Sequence, residues 1–252
     1  MKYFVVSDIH SYYTPLQKAL QDAGFDIENP AHKLIICGDL MDRGSESFEL
    51  QEYILKLLEK GKVVLVRGNH EDLALELIEN FEKKYSSNIF GTHHYHNRTV
   101  QTLLDLTGLD FDDLIFRPKE FIEKAKNTAF IKDIIPKMVD YFETDNYVFV
   151  HGWIPSKKRS PNKDWRLGNW EEARWFNGME KHYIGNFAPG KTVVCGHWHT
   201  SWGHSVLHKN GTEWNVGGQP TAIFTPFFDD GIRALDGCTA YSGLVNCVVI
   251  ED

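Results

Sequence analysis

Five short motifs combine carboxylate, amide and imidazole side chains with glycine. They are Asp8-Ile9-His10, Gly38-Asp39-Leu40-Met41-Asp42-Arg43-Gly44, Gly68-Asn69-His70-Glu71, His151-Gly152 and Gly196-His197-Trp198-His199. Oxygen and nitrogen ligands without thiolate suit hard-to-borderline divalent cations better than a structural zinc. Two such ions, about 3.5 to 4 Å apart and bridged by one carboxylate, can activate water and hold phosphoryl oxygens. These residue types therefore indicate metal-assisted phosphoryl chemistry.

Each motif follows directly on a short apolar run that predicts a β-strand. The predicted strands cover residues 3–6, 34–37, 63–66, 147–150 and 192–195. Helical patterns follow the first three strands, and this alternation predicts a layered α/β fold with strands buried on both faces. Ligands bind at the carboxyl ends of strands in open α/β sheets, so we expect the five motifs to meet in one sheet system. The runs 231–236 and 244–250 predict further strands, in a second sheet that closes the core.

Residues 84–140 lose the alternation of strand and helix. Helical patterns cover residues 99–106, 118–126 and 130–141, after a polar turn that contains His93, His94 and His96. We interpret this region as a helical cap or insertion within a single domain that spans residues 1–252. With no carboxylate at ligand spacing beside them, we expect these three histidines to form a solvated loop.

Composition narrows the classes of function. The 252 residues are 42% hydrophobic, and the net charge of -8 argues against general binding to a nucleic-acid backbone. No apolar run reaches the roughly 18 residues of a membrane span, and Asp8 interrupts any signal sequence, so we expect a cytoplasmic protein without a membrane partner. The cysteines do not form CxxC pairs, which indicates buried, reduced thiols. They are Cys37, Cys195, Cys238 and Cys247.

The ordered motifs resemble the calcineurin-like metallophosphoesterase superfamily. Within it, they are similar to bacterial and phage serine/threonine protein phosphatases and to symmetrical diadenosine tetraphosphate hydrolases. The segment 38–44 is the most specific part of the match, and residues 234–238 with 243–245 resemble the closing strands of that branch. The resemblance implies a four-layer α/β/β/α sandwich with a helical cap. It also implies direct attack by a hydroxide held between two metals, without a covalent intermediate.

The resemblance implies a role for each motif residue. Asp8 and His10 would bind the first metal, and Asp39 would bridge both ions. The ligands implied for the second metal are Asn69, His151 and His197. Mn²⁺ is the expected cation, with Fe, Zn and Ni as alternatives.

The remaining roles concern the substrate. Asp42 would orient His70 as the general acid. Arg43 would bind the phosphoryl oxygens as a planar bidentate hydrogen-bond donor. Asn69 would also contact the substrate. Arg174 resembles a second phosphate-binding arginine, and an exposed arginine on a helix face is the equal alternative.

Three departures from the family pattern bear on the activity. Ser7 and Ser11 replace common glycines, and Trp153 follows His151-Gly152. His199 completes a Gly-His-x-His motif that is typical of nucleases and phosphodiesterases. In those proteins the second histidine of the motif binds the first metal.

We therefore expect hydrolysis of phosphomonoesters, such as those of phosphoproteins. The alternatives are a phosphodiesterase and a hydrolase of dinucleoside polyphosphates such as diadenosine tetraphosphate. For the five tryptophans between residues 165 and 202, we favour packing over a stacking shelf for nucleobases. A non-catalytic scaffold is disfavoured because none of the implied ligands is missing.

Overall fold

The chain alternates short strands with helices over most of its length. The computed structural model describes residues 1–86, 88–157, 160–161 and 164–252. The strands are β1 (Lys2–Val6), β2 (His32–Cys37), β3 (Val63–Val66), β4 (Phe142–Glu143), β5 (Tyr147–Phe149), β6 (Ser156–Lys157), β7 (Ser160–Pro161), β8 (Thr192–Cys195), β9 (Phe227–Asp229), β10 (Ile232–Ala234) and β11 (Val248–Glu251). The α-helices are α1 (Tyr13–Ala23), α2 (Ser47–Glu59), α3 (Asn69–Asn80), α4 (His93–His96), α5 (Thr99–Thr107), α6 (Phe111–Phe116), α7 (Pro118–Lys126), α8 (Trp170–Ala173), α9 (Gly178–Tyr183), α10 (Thr200–Trp202) and α11 (Thr239–Ser242).

Two mixed sheets form the centre of the molecule. The first has the order β11-β1-β2-β3, and the second has the order β4-β5-β8-β10-β9. In the first sheet β1, β2 and β3 run parallel, and in the second β5, β8 and β10 run parallel. The outer strands β11, β4 and β9 pair antiparallel with their neighbours. The parallel strands that precede the five motifs therefore divide between two sheets.

The sheets pack face to face, and helices cover their outer faces. Alternate residues of a strand point to opposite faces, so Val5 of β1 packs between the sheets with Phe149 and Val194. Its neighbour Phe4 packs instead against α1, next to Leu16. Helices α8 and α9 cover the second sheet through a separate apolar cluster. The predicted four-layer α/β/β/α arrangement is confirmed.

The last strand is an exception to the sequence-based expectation. Residues 231–236 contain β10, which lies in the second sheet as expected. β11 instead joins the first sheet, where Ile250 pairs with Tyr3 of β1. Hydrophobic periodicity predicts that a strand exists but not which free sheet edge it will pair with. The assignment of 244–250 to the second sheet was therefore wrong.

The region 84–140 is helical through α4 to α7. It continues with a π-helical turn, Phe130–Ile134, and a 3₁₀ turn, Ile135–Lys137. Buried side chains of α5 and α7, such as Leu103 and Phe121, form a satellite core with Leu77 of α3. The insertion thus packs on the helix that begins with Asn69-His70.

Two further expectations concern the whole chain. All four cysteines are free, and Cys37 and Cys195 are buried. In the part of the chain that the structure describes, no helix has the length and apolar character needed to cross a membrane.

Candidate active site

The five motifs meet at the carboxyl ends of the parallel strands. Asp8 follows β1, Asp39 follows β2 and α3 begins at Asn69 just after β3, all in the first sheet. His151 and His197 follow β5 and β8 of the second sheet. The site therefore lies across the junction of the two sheets.

The loops that hold the site have an unusual backbone. Six motif residues have left-handed φ angles between +51° and +76°: Asp8, His10, Asp39, Asp42, Arg43 and His197. Such angles are uncommon outside glycine, and each strained residue costs about 1 to 3 kcal/mol when the surroundings impose it. Ser11 also has a φ of +59°, so it keeps the conformation that glycine favours at this position of the family pattern.

Two motif glycines make room for the carboxylates. A Cβ added to Gly68 would lie 2.2 Å from Oδ1 of Asp39. At Gly196 it would lie 2.1 Å from Oδ2 of Asp8. Any larger residue at these positions would displace a candidate metal ligand.

Asp39 is shared by two groups of side chains that could each hold a cation. Asp39, His10 and His70 form one group, with all ligand atoms within 4.8 Å of one another. Asp39, His151 and His197 form the other. Burial would raise the pKa of Asp39, but the surrounding histidines hold it well below its usual value. The carboxylate is therefore ionised and lies where a bridging ligand would be needed.

The hydrogen bonds of His151 fit a bound cation. Its Nδ1 donates to the carbonyl oxygen of Cys37 at 2.8 Å, and its Nε2 lies 2.8 Å from Oδ1 of Asn69. Burial lowers the pKa of His151, so its neutral Nε2 is an acceptor. Two acceptors then face each other, and a cation between them satisfies both lone pairs.

His10 is arranged in the same way. Its Nδ1 donates to the carbonyl oxygen of Met41 at 3.0 Å, which turns Nε2 towards Asp39, 3.7 Å away. Burial, with His70 and Arg43 close by, lowers the pKa of His10 well below its usual value. The donor set is thus neutral imidazole and ionised carboxylate, as metal binding requires.

Asp8 adds a second carboxylate, and Asp236 a third. The backbone N–H of His197 donates to both carboxylate oxygens of Asp8, at 3.1 and 3.0 Å. Burial, with the nearby charges of Asp236 and Asp39, raises the pKa of Asp8 well above its usual value. Burial also raises the pKa of Asp236 to about 6. Carboxylates crowded in this way favour a cation among them.

His70 forms a hydrogen-bonded pair with Asp42. Its Nδ1 lies 2.7 Å from Oδ2 of Asp42, and its Nε2 lies 3.4 Å from Nη2 of Arg43. Burial alone would lower the pKa of His70, but the Asp39 and Asp42 carboxylates raise it overall. A histidine with a raised pKa, fixed by a carboxylate, has the properties of a general acid.

Three residues that support the site were missed by sequence reasoning. Thr99 donates to Oδ2 of Asp42 at 2.6 Å, from 57 positions along the chain. Glu71 accepts from the backbone N–H groups of Gly68 and Leu40, at 2.7 and 2.9 Å, and so ties two motif loops together. The motif Gly68-Asn69-His70-Glu71 contains Glu71, and the closing-strand match contains Asp236, so both had a signal. Thr99 had none.

Arg174 is placed beside carboxylates. Its Nη1 donates to Asp72 at 2.7 Å, and its Nη2 contacts Asp140. The side chain is buried rather than on an exposed helix face. Its assignment as a phosphate ligand stays a prediction.

His199 lies apart from the two groups that share Asp39. Its Nε2 is 3.3 Å from Oε1 of Glu213, and its ring packs on Trp214 with centroids 4.5 Å apart. Burial lowers the pKa of His199 to about 4. Its role as a ligand of the first metal also stays a prediction.

The tryptophans near the site fall into two sets. Trp165 and Trp170 are buried in the second sheet's outer core, as expected. Trp175 and Trp198 are 49% and 38% exposed, and both rings contact that of His197, with centroids 5.8 and 6.1 Å apart. Aromatic surface therefore flanks a candidate metal ligand.

Comparison with known proteins agrees with this geometry. The calcineurin-like phosphoesterase family matches residues 1–201. A bis(5'-nucleosyl)-tetraphosphatase PrpE [asymmetrical] from Bacillus velezensis is 38% identical over 76 residues, which cover 28% of this chain and 30% of that protein. Serine/threonine-protein phosphatase 1 from Salmonella typhimurium is 40% identical over 73 residues, which cover 29% of this chain and 31% of that protein. The match thus spans about a third of the length of these relatives.

Solved structures share the fold over the whole chain. The crystal structure of a putative diadenosine tetraphosphatase has a TM-score of 0.54 and 14% identity, and the match covers 99% of this chain and 89% of that one. A mutant of a cold-active protein tyrosine phosphatase has a TM-score of 0.56 and 15% identity, and the match covers 100% and 75%. At such low identity these likenesses support the fold alone.

Proposed function

This chain belongs to the calcineurin-like phosphoesterase family, and from that premise we propose that it hydrolyses phosphomonoesters in the manner of a serine/threonine protein phosphatase. One observation carries the proposal. The His70–Asp42 pair, at 2.7 Å, lies beside Arg43 and beside the shared carboxylate of Asp39. One site thus combines an acid, a cationic hydrogen-bond donor for the phosphoryl oxygens and side chains that could hold two metal ions.

The family implies a dinuclear divalent metal centre, and the donor set fits one. Asp8 and His10 would hold the first ion, and Asp39 would contact both. The residues that would hold the second ion are Asn69, His151 and His197. Bound there, two divalent cations would lower the pKa of a water molecule and neutralise charge on the phosphoryl oxygens. We propose Mn²⁺ as the cation, with Fe, Zn and Ni as alternatives.

His70 would protonate the leaving oxygen. Asp42 accepts the hydrogen bond of Nδ1, so the proton available to the substrate is the one on Nε2. That atom lies 3.4 Å from Arg43. A phosphoryl group held by Arg43 therefore places its leaving oxygen within reach of the acid.

Arg43 would provide the main cationic contact with the phosphoryl oxygens, and Asn69 would also contact the substrate. The guanidinium is half-buried, which strengthens its interaction with an anion. Arg174 would assist only after exchanging one of its carboxylate partners, Asp72 or Asp140, for the substrate.

A second candidate is hydrolysis of dinucleoside polyphosphates. The observation that favours it is the exposed pair Trp175 and Trp198 around His197. Stacking of a base on an aromatic side chain contributes about 1 to 3 kcal/mol. A nucleobase on this surface would place its phosphates near the candidate metal ligands.

We also propose that the protein acts in the cytoplasm, because its four cysteines are free thiols. Disulfides are rare in reducing compartments. The reactants we propose there are a phosphorylated protein or, for the second candidate, a nucleotide.

A substrate panel with Mn²⁺ tests the proposal. It contains a phosphoserine peptide, p-nitrophenyl phosphate, diadenosine tetraphosphate and bis-p-nitrophenyl phosphate, and Asp39→Asn controls for contaminating phosphatases. We expect the monoesters to have the highest kcat/KM. Faster cleavage of diadenosine tetraphosphate would select the second candidate. Equal cleavage of bis-p-nitrophenyl phosphate would select a phosphodiesterase.

A further inference from the structure

A second group of metal-ligand type lies in the helical insertion, outside the site described above. The ligand atoms of Glu76, His93 and His94 all lie within 4.8 Å of one another. Glu76 belongs to α3, and the two histidines begin α4. We expected these histidines to form a solvated loop with no carboxylate beside them. His93 and His96 are exposed, but the segment is helix α4 and His94 is buried against Glu76, which reaches it from another helix. The pattern of 93–96 alone could not reveal a partner 18 positions away.

His94 is the buried member of the group. Its Nε2 lies 2.7 Å from Oε2 of Glu76, and its ring is fully buried. Its Nδ1 is also buried and has no hydrogen-bond partner in the part of the chain that the structure describes. Burial, with the neighbouring His93, lowers the pKa of His94. The imidazole is therefore kept in the neutral form that binds metals.

The carboxylate of Glu76 is held in place by its neighbours. The hydroxyl of Tyr85 lies 2.8 Å from both carboxylate oxygens. The ammonium of Lys84 lies 3.1 Å from Oε1. Oε2 is left facing His94, and contacts of this kind orient the ligands of protein metal sites.

His93 completes the group from the exposed side. Its ring centroid lies 3.9 Å from that of His94, and its side chain is exposed. A His94–Glu76 hydrogen bond alone would need no second imidazole. Because His93 is exposed, solvent can reach the group and supply a fourth ligand.

We propose that Glu76, His93 and His94 bind one Zn²⁺, which joins α3 to α4 at a site separate from the dinuclear centre. Two imidazoles and one carboxylate with an open fourth position form a common zinc donor set. In tetrahedral zinc sites, ligand atoms are about 3.3 Å apart, so the 2.7 Å contact between Glu76 and His94 would open by about 0.6 Å.

The position of this site links it to the general acid. α3 begins with Asn69 and His70, and Glu76 lies two turns further along the same helix. α4 leads into Asn97, whose carbonyl oxygen accepts from the backbone N–H of Arg43 at 3.1 Å. A cation here would therefore fasten the insertion to the helix that carries the general acid.

Zinc counting tests the proposal. Wild type, Glu76→Gln and His93→Ala are equilibrated at one free zinc concentration set by a metal buffer, and bound zinc is measured by mass spectrometry. The matched control is His96→Ala, because His96 is an exposed histidine of the same helix. We expect Glu76→Gln and His93→Ala to bind one zinc fewer than wild type and His96→Ala. Equal counts in all four proteins would overturn the proposal.

A second measurement covers the case in which Glu76→Gln unfolds. In an Asp39→Asn background, zinc should raise the melting temperature, since a cation that binds only the folded chain stabilises it. Adding His93→Ala should reduce this rise, and adding His96→Ala should leave it unchanged. A rise that His93→Ala leaves intact, or no rise at all, would contradict the zinc site. Neither readout depends on phosphate hydrolysis, so the proposed function can fail independently.

Discussion

Thr99 donates a hydrogen bond to Oδ2 of Asp42 at 2.6 Å, the same oxygen that lies 2.7 Å from His70. Both side chains are buried. A carboxylate oxygen with two donors is fixed in position, and it fixes the imidazole in turn. Thr99 belongs to the insertion, so the insertion takes part in orienting His70, the proposed general acid.

Thr99→Val should lower kcat/KM by about fivefold, which corresponds to a net hydrogen bond of about 1 kcal/mol. The loss should be larger for alkyl phosphates than for p-nitrophenyl phosphate, because only the former need strong protonation of the leaving oxygen. Thr99→Ser should restore activity. The control is Thr107→Val in the same helix, where the hydroxyl donates to the carbonyl oxygens of Leu103 and Leu104. Uniform losses on both substrates would indicate a packing role instead.

His70→Asn should slow alkyl phosphate hydrolysis by about 10² to 10⁴, the usual contribution of a general acid. p-Nitrophenyl phosphate should lose much less, since its leaving group departs without a proton. Kinetics on both substrates, together with metal counting, check this. Loss of a metal from the variant would instead make His70 a ligand, as its place in the Asp39 group would allow.

Asp39→Asn should abolish activity and leave fewer than two metals per chain. A neutral amide neither bridges two cations nor balances their charge. Asp22→Asn is the control, because Asp22 is an exposed carboxylate of α1. Full metal content with near-normal turnover in Asp39→Asn would contradict the proposal that Asp39 binds both metals.

Wild type should prefer p-nitrophenyl phosphate over bis-p-nitrophenyl phosphate by at least about tenfold in kcat/KM, or roughly 1.4 kcal/mol. A dianionic monoester gains more from the guanidinium of Arg43 than a diester monoanion does. Arg43→Ala should shrink the preference mainly by slowing the monoester. Arg117→Ala, at an exposed arginine of the insertion, should leave the ratio unchanged.

His182 should make the fold sensitive to acid. It is buried in α9, where burial lowers its pKa against the opposing effect of Asp229 and Asp230. The unfolded chain then binds the proton first, so the unfolding free energy is greatest above about pH 6.5 and falls as the pH drops below it. Urea unfolding across this range should show a shallower pH dependence for His182→Gln. His96→Gln, at an exposed histidine, should match wild type; identical slopes in all three proteins would refute the effect.

The sequence predicted the parts of the fold that depend on local pattern. The apolar runs before Asp8, Asp39 and Asn69 became β1, β2 and β3. The helical pattern after the first strand became α1, which Gly24 terminates with a φ of +81°. The partner of β11 could not be predicted, because periodicity carries no information about which sheet edge is free.

The candidate site likewise combines residues that local pattern indicates with contacts that depend on tertiary packing. Candidate residues within the motifs could be identified because each motif follows a strand end, and their roles stay predictions. The Thr99 contact with Asp42 spans 57 positions, and the burial of His94 against Glu76 depends on how α4 packs on α3. Such contacts arise from tertiary packing, which leaves no short-range signature in the chain.

The hydrogen bond from the insertion to Asp42 has a consequence for recombination between family members. An insertion grafted from another phosphoesterase would bring its own residue to the position of Thr99, opposite a carboxylate that in this protein accepts a hydrogen bond from a hydroxyl. Chimeras made at the borders of 84–140 should therefore fold and yet turn over slowly. Restoring threonine at this one position is the first change to make in repairing them.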